Sequence, residues 1–438
     1  MNRVAIAACV VVALLAAPAL AQERAGFDPE VESSIQQVLP RMVAWRRDFH
    51  EHPELSYEEV RTARIVAQHL RSLRMEVRTG VAQTGVVGVL RGGQPGPVIA
   101  LRADMDALPV TEEVDLPFRS RARGTYQGNE VGIMHACGHD THVSILMAAA
   151  SVLAAQRQQL RGTVIFVFQP SEEGRAVDGG PGGAERMLAE DVFGDLEPEF
   201  IFGLQAWPRD AGTVVLVDGP FMAGSDQLRI TVTGRQTHGA QPHRGVDPIV
   251  VSSQIINALQ TIPSRQMDAV GSPVIVTIGS IHGGIRYNII PDRVEMQGTI
   301  RYLNPETREE IYTRIRRTVE DIAHSAGATA EVTIAHNAIP VVNPPALTQR
   351  TRAVLQNALG EANVRAEPPG MVAEDFAYFQ RAVPGVFFYY CVNQPGVSLA
   401  DAAPNHNPRF FVHEPAMETG LRAMLAVALD RMGGASGS

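Results

Sequence analysis

The pattern HVSILMAAASVLAAQ, residues 142–156, runs almost directly into GTVIFVFQP, residues 162–170. The first has the length of a helix and the second that of a strand, and neither has a polar face. Segments apolar all round need cover on both sides, which a layered sheet with helices on each face provides. Upstream, TGVVGVLRG and PVIALRADMDALPV are further short β-branched runs bounded by Gly and Pro. Before them, residues 30–73 carry apolar side chains at three-to-four spacing, interrupted by Pro53, and predict helix. Strands alternating with helices predict an α/β fold with a largely parallel central sheet.

A second texture begins near Val217. SDQLRITVTG, PVIVTIGSI, RVEMQGTIRYL and TAEVTIAHN read as strands, while DPIVVSSQIINALQTI and PETREEIYTRIRRTVEDIAHSAG read as helices. Their order is βαββαβ, the split ferredoxin-like unit. LTQRTRAVLQNAL and GVFFYYCV then restore the first texture. With 438 residues the chain is too long for one ordinary core. We therefore expect a catalytic-size domain in two parts, 22–216 and 340–438, with a small domain, 217–339, inserted between them.

The chain opens with MNRVAIAACVVVALLAAPALAQ: one Arg, an apolar run short for a bilayer, and Ala19-Leu20-Ala21 before Gln22. That is the form of a secretory signal over 1–21, and an exported, periplasmic or secreted mature protein is expected. A balance of 38 Lys and Arg against 47 Asp and Glu, with no basic cluster, argues against nucleic acid, and no membrane association is expected after cleavage. The expected substrate is therefore a small molecule or peptide. Cys137 and Cys391 remain after cleavage, and one reading makes them a disulfide.

Four stretches could carry chemistry. GIMHACGHDTH gathers three histidines, Cys137 and Asp140; in extended backbone His135, Cys137 and His139 would share a face, and thiolate with imidazole suits a cation such as zinc. FQPSEEG sets Glu172 and Glu173 at a strand's C-terminal end, where adjacent side chains diverge, so that one can ligate a metal while the other serves as general base. RADMD places Asp104 and Asp106 at another strand end, as direct ligands or as supports for ligand histidines. APNHNPRF holds His406 in a late loop. Each of these also has a plain surface or capping interpretation.

Taken together and in order, ALRADMDALP, HACGHDTH, QPSEEG, GRQTHGAQPH, YNIIPD, EDFAYF and NHNPRF resemble the metal-dependent N-acyl-amino-acid amidohydrolases of the aminoacylase and carboxypeptidase type. That group includes hippurate hydrolases and auxin-conjugate hydrolases. The resemblance implies a zinc-peptidase-like catalytic domain, with the inserted unit as lid and dimerisation domain. It implies one or two divalent metal ions (zinc, manganese, cobalt or nickel), with Cys137 bridging and His139, Glu173 and His406 as further ligands. Glu172 matches the general base, Asp106 a supporting carboxylate, and His238 the histidine that steadies the oxyanion, in many relatives from the partner subunit. Asn288 and Arg301 match positions that bind the substrate's carboxylate. A homodimer is expected, since a ferredoxin-like edge strand can pair with its twin.

One position departs from the pattern. Where relatives carry a ligand histidine, FGLQAWP has Gln205, and an amide is a poorer ligand than imidazole for a borderline metal. Three activities follow as alternatives: hydrolysis of N-acyl amino acids, hydrolysis of dipeptides or peptide C-termini, or ligand binding without cleavage.

Overall fold

A computed structural model describes residues 26–174 and 181–433. The expected signal, 1–21, lies outside the described residues. Helix α1, Pro29–Glu51, starts where the Asp28 carboxylate accepts the Glu30 N–H at 2.9 Å and Pro29 takes the first helical position. Its buried stripe of Val31, Ile35, Val38, Met42 and Phe49 packs on α3, His139–Ala155. Between them come α2, Val60–Ser72, and strands β1, Glu76–Val81, β2, Gly85–Arg91, and β3, Gln94–Asp104. Helix α3 is buried on every side from His139 to Ala150, as an apolar helix beneath a sheet must be.

The first domain continues through β4, Arg161–Gln169, α4, Gly183–Ala189, β5, Phe200–Asp210, and β6, Val214–Val215. The inserted unit follows as β7, Gly224–Thr233, α5, Pro248–Leu259, β8, Val274–Gly283, β9, Arg293–Tyr302, α6, Arg308–Ser325, and β10, Thr329–Ala338. The chain then returns with α7, Pro345–Leu359, β11, Val364–Arg365, α8, Phe376–Ala382, β12, Gly385–Asn393, and α9, Met417–Arg431.

The large sheet has the order β1-β2-β4-β3-β5-β12-β6-β11. Its centre, β4-β3-β5-β12, is parallel throughout. β1 and β2 attach antiparallel at one side. One hydrophobic core, with Leu101, Phe166 and Phe388, lies under α1, α3 and α9; a second, with Ala100, Ile165 and Phe387, covers the opposite face. These pairs are sequence neighbours on opposite faces, which is why the strands show no polar alternation. Two strands escape the apolar pattern: β1 is almost all exposed, and β5 mixes Gly203, Gln205 and Pro208 into its run.

The inserted sheet runs β8-β9-β7-β10, all antiparallel, with α5 and α6 closing a core of its own around Ile230, Met296 and Ile315. This is the α/β architecture with an inserted ferredoxin-like unit that the strand pattern predicted. No described helix is long and apolar enough to cross a membrane.

Candidate metal centre

The parallel strands β3 and β4 end side by side, Asp104 opposite Gln169, and deliver Asp106 and the Glu172-Glu173 pair just beyond. Open α/β sheets build their sites at such C-terminal edges. A bend at Ala136 and Cys137, followed by Gly138 at φ 91°, turns the chain into α3 and aims Cys137 and His139 at the same place. Only glycine takes that φ without strain. The bend also corrects the expectation of a shared face, because His135 is buried apart from the other two with neither ring nitrogen hydrogen-bonded.

Ligand atoms of Cys137, His139 and Glu173 all lie within 4.8 Å of one another. His139 Nδ1 donates to the backbone carbonyl of Asp106 at 2.8 Å, which leaves Nε2 as the nitrogen a cation could take in place of a proton, and this buried atom makes no hydrogen bond. His406 Nε2 stands 2.9 Å from Glu173 Oε1, brought there by a loop whose His406 backbone has φ 67° and donates its N–H to Ala136. Sulfur, imidazole and carboxylate converging around an orphaned nitrogen fit a divalent cation. His142 does not join them: Nδ1 pairs with Asp104 at 2.6 Å and Nε2 accepts the Ala206 N–H at 2.9 Å.

Glu173 and Glu172 diverge as adjacent residues must, Glu172 facing Asp104 and Glu374 instead. Asp106 sets both: its carboxylate accepts the N–H of Glu172 and of Glu173, each at 3.0 Å, and the Ser56 hydroxyl at 2.7 Å. Burial, then the carboxylates of Glu374, Glu173 and Asp375, push Glu172 well above the ordinary carboxylate range. Burial opposes a charged His139, but Asp104 and Asp106 outweigh it and hold that imidazole well above its usual value. Contacts with Cys137 and Glu173 raise His406 to about 10.

Sequence patterning alone missed what lies beneath. Arg102, wholly buried, donates to Gln169 at 2.8 Å, Asp104 at 2.7 Å, Glu374 at 2.8 Å and Asp375 at 3.1 Å. The available signal was an arginine inside a strand otherwise apolar, together with the acidic pair of EDFAYF.

The centre opens into a cavity of about 650 Å³. Cys137, Glu172, Glu173, Gln205 and His406 line its floor, while Ser225, Arg301 and Asn337 reach it from the inserted unit. Arg301 is half-buried, and its guanidinium makes no hydrogen bond or ion pair among the described residues. His238 and Asn288 are not in this cavity. They sit together elsewhere on the inserted unit, His238 paired with Ile289 and exposed, its Nδ1 accepting the Ala240 N–H at 3.0 Å. Gln205 turns its amide nitrogen to Cys137 Sγ at 3.2 Å, and its oxygen accepts the Ala206 N–H at 3.1 Å. Cys137 and Cys391 are both free thiols, not a disulfide.

Comparison with known proteins adds three findings. The profile of peptidase family M20/M25/M40 matches residues 100–430. Thermostable carboxypeptidase 1 of Saccharolobus solfataricus is 39% identical over 91% of this chain and 98% of its own, and the N-acetylcysteine deacetylase of Bacillus subtilis is 36% identical over 86% and 93%. Among solved structures, the Bacillus subtilis YxeP protein, a dinuclear metal-binding peptidase, superposes with a TM-score of 0.74 at 31% identity, covering 91% of this chain and all of that one.

Proposed function

Because this chain belongs to peptidase family M20/M25/M40, we propose that it is an exported, metal-dependent hydrolase that cuts the amide bond of an N-acyl amino acid and releases the free amino acid. The observation that carries the reading is the meeting, in one cavity, of a Cys137-His139-Glu173 ligand set, the protonatable Glu172 and the unpaired guanidinium of Arg301. When held by Cys137, His139, Glu173 and His406, a divalent cation supplies Lewis-acid activation of the attacking water and the scissile carbonyl.

The protein's own groups do the rest. Arg301 pairs with the substrate's free carboxylate, which a guanidinium recognises in fork geometry. Trp207, Met222, Val372 and Leu399 give the acyl part apolar walls. Glu172, ionised at the start, takes the proton of the attacking water and returns it to the departing amine, and the raised proton affinity of this buried carboxyl helps the first of these transfers. A carboxypeptidase and an N-acetyl amino acid deacetylase share this requirement: an amide one residue from a free carboxylate. A short peptide therefore remains the second reading.

The test is amine release by mature protein beginning at Gln22, recovered from the exported fraction, from a panel of N-acyl amino acids and dipeptides. We expect turnover that a chelator removes and zinc, manganese, cobalt or nickel restores. Turnover indifferent to chelator, or a chain retained inside the cell with its leader, refutes the corresponding part of the proposal.

We further propose a homodimer in which His238 and Asn288 serve the partner's cavity. Edge strand β8 exposes Ile275 and Ile281, and Ile249, Val250, Ile285 and Tyr287 are exposed nearby, Ile285 at 97% and Tyr287 at 95%. Open apolar strand edges invite pairing with a second copy. The double substitution Ile285→Asp, Tyr287→Asp should give a monomer by light scattering with activity reduced about 100-fold, the scale of a lost oxyanion donor. A monomer with undiminished activity ends the trans role of His238.

A further inference from the structure

We infer that Cys137 is a terminal ligand to a single metal ion, and that the amides of Gln205 and Asn405 hold the rest of its sulfur, so each chain binds one ion and not two. This rests on the metal-centre reading above. A sulfur that bridges two cations must give each a lone pair. Here Gln205 Nε2 donates to Sγ at 3.2 Å, and Asn405 Nδ2 approaches the same atom at 3.5 Å. A thiolate has three lone pairs; the Gln205 N–H takes one, and an Asn405 N–H shared between Sγ and the Cys137 carbonyl at 3.4 Å faces a second, which leaves one.

The orientation of Gln205 follows from its neighbours. Its oxygen accepts the Ala206 N–H at 3.1 Å, a donor it shares with His142 Nε2 at 2.9 Å. Turning the amide over would set that oxygen against the sulfur and its NH₂ against a backbone N–H, exchanging two hydrogen bonds for two repulsions. The side chain at position 205 thus acts on the sulfur as a donor and offers the metal nothing. Asn405 is anchored likewise, its Nδ2 also donating to the Ala206 carbonyl at 3.1 Å.

Other clusters of ligand atoms among the described residues give a second ion no place. Asp104, His139 and His142 form one group, but both nitrogens of His142 are already hydrogen-bonded. Asp104, Glu172 and Glu374 form another, but Asp104 and Glu374 grip the buried Arg102, whose fixed positive charge opposes a further cation. What remains is Cys137, His139 and Glu173 with the adjacent His406: enough donors for one ion.

The experiment is to load mature protein with cobalt(II), remove the excess by gel filtration, and measure metal per chain by mass spectrometry. Stepwise titration followed by thiolate-to-cobalt charge-transfer absorption provides a second readout. One equivalent is expected in the native chain, with the absorption complete at that point. Gln205→His should raise the stoichiometry to two, whereas Gln205→Ala, which tests whether the fold tolerates change there, should stay at one. Two equivalents in the native chain overturn the inference while sparing the metal centre. None at all overturns both.

Discussion

The Glu172→Gln protein is expected to keep its fold and its metal and to lose turnover by about a thousandfold, within the range for a positioned acid-base group. The exchange is nearly isosteric, and an amide oxygen can still accept the Asp375 N–H that Glu172 Oε1 meets at 3.3 Å. What vanishes is the ability to take a proton and give it back. Burial and the neighbouring carboxylates of Glu374, Glu173 and Asp375 raise its proton affinity, which strengthens it as a base once a bound cation keeps it ionised. Metal content by mass spectrometry and the melting profile should match the native protein, with KM little changed and kcat falling. An equal kcat would remove Glu172 from the chemistry; lost metal would make it a ligand.

The largest stability loss is expected from Arg102→Met. The substitution keeps much of the volume but withdraws the one cation that meets Asp104, Glu374 and Asp375, with all four side chains nearly inaccessible to solvent. Removing one partner of a buried ion pair costs about 3–5 kcal/mol, and although Asp104 keeps His142, Glu374 and Asp375 lose the cation that meets them where water hardly reaches. The midpoint of chemical denaturation should fall accordingly, whether or not metal is present. An unchanged midpoint would mean that the three carboxyl groups manage without the guanidinium.

The parts of the fold that could be read from sequence were those with a clean period or none. β4 and α3 are apolar on all sides and announce a covered sheet, and β7 alternates from Leu228 to Val232 as a strand over its own small core should. β5 hid because Gly203 packs against the rings of Phe376 and Phe387, and Gln205 faces the metal centre; both interrupt the apolar run for reasons set by distant residues. Within the site, Cys137 and His139 could be singled out because few residue types ligate metals, but so was His135, which the fold holds apart, and only the family resemblance pointed to Glu173 and His406 as ligands. The Arg102 network left only a hint, an arginine within an apolar strand, since Glu374 lies 272 positions away and nothing local pairs the two. The placing of His238 and Asn288 on a separate part of the inserted unit left none, since the packing of that unit decides it.

The strand order of the large sheet also sets a timetable for the chain as it is made. β12, residues 385–393, lies between β5 and β6, so two strands separated by only a short turn must wait for one made about 175 residues later. All four strands of the inserted sheet fall between residues 224 and 338 and enclose a core of their own. The guest can thus fold while its host is still open, and long-range closure of this kind is slow and exposes apolar edges. His406 comes later still, so a chain that stops between residues 393 and 406 has every strand of the sheet but lacks one of the proposed ligands.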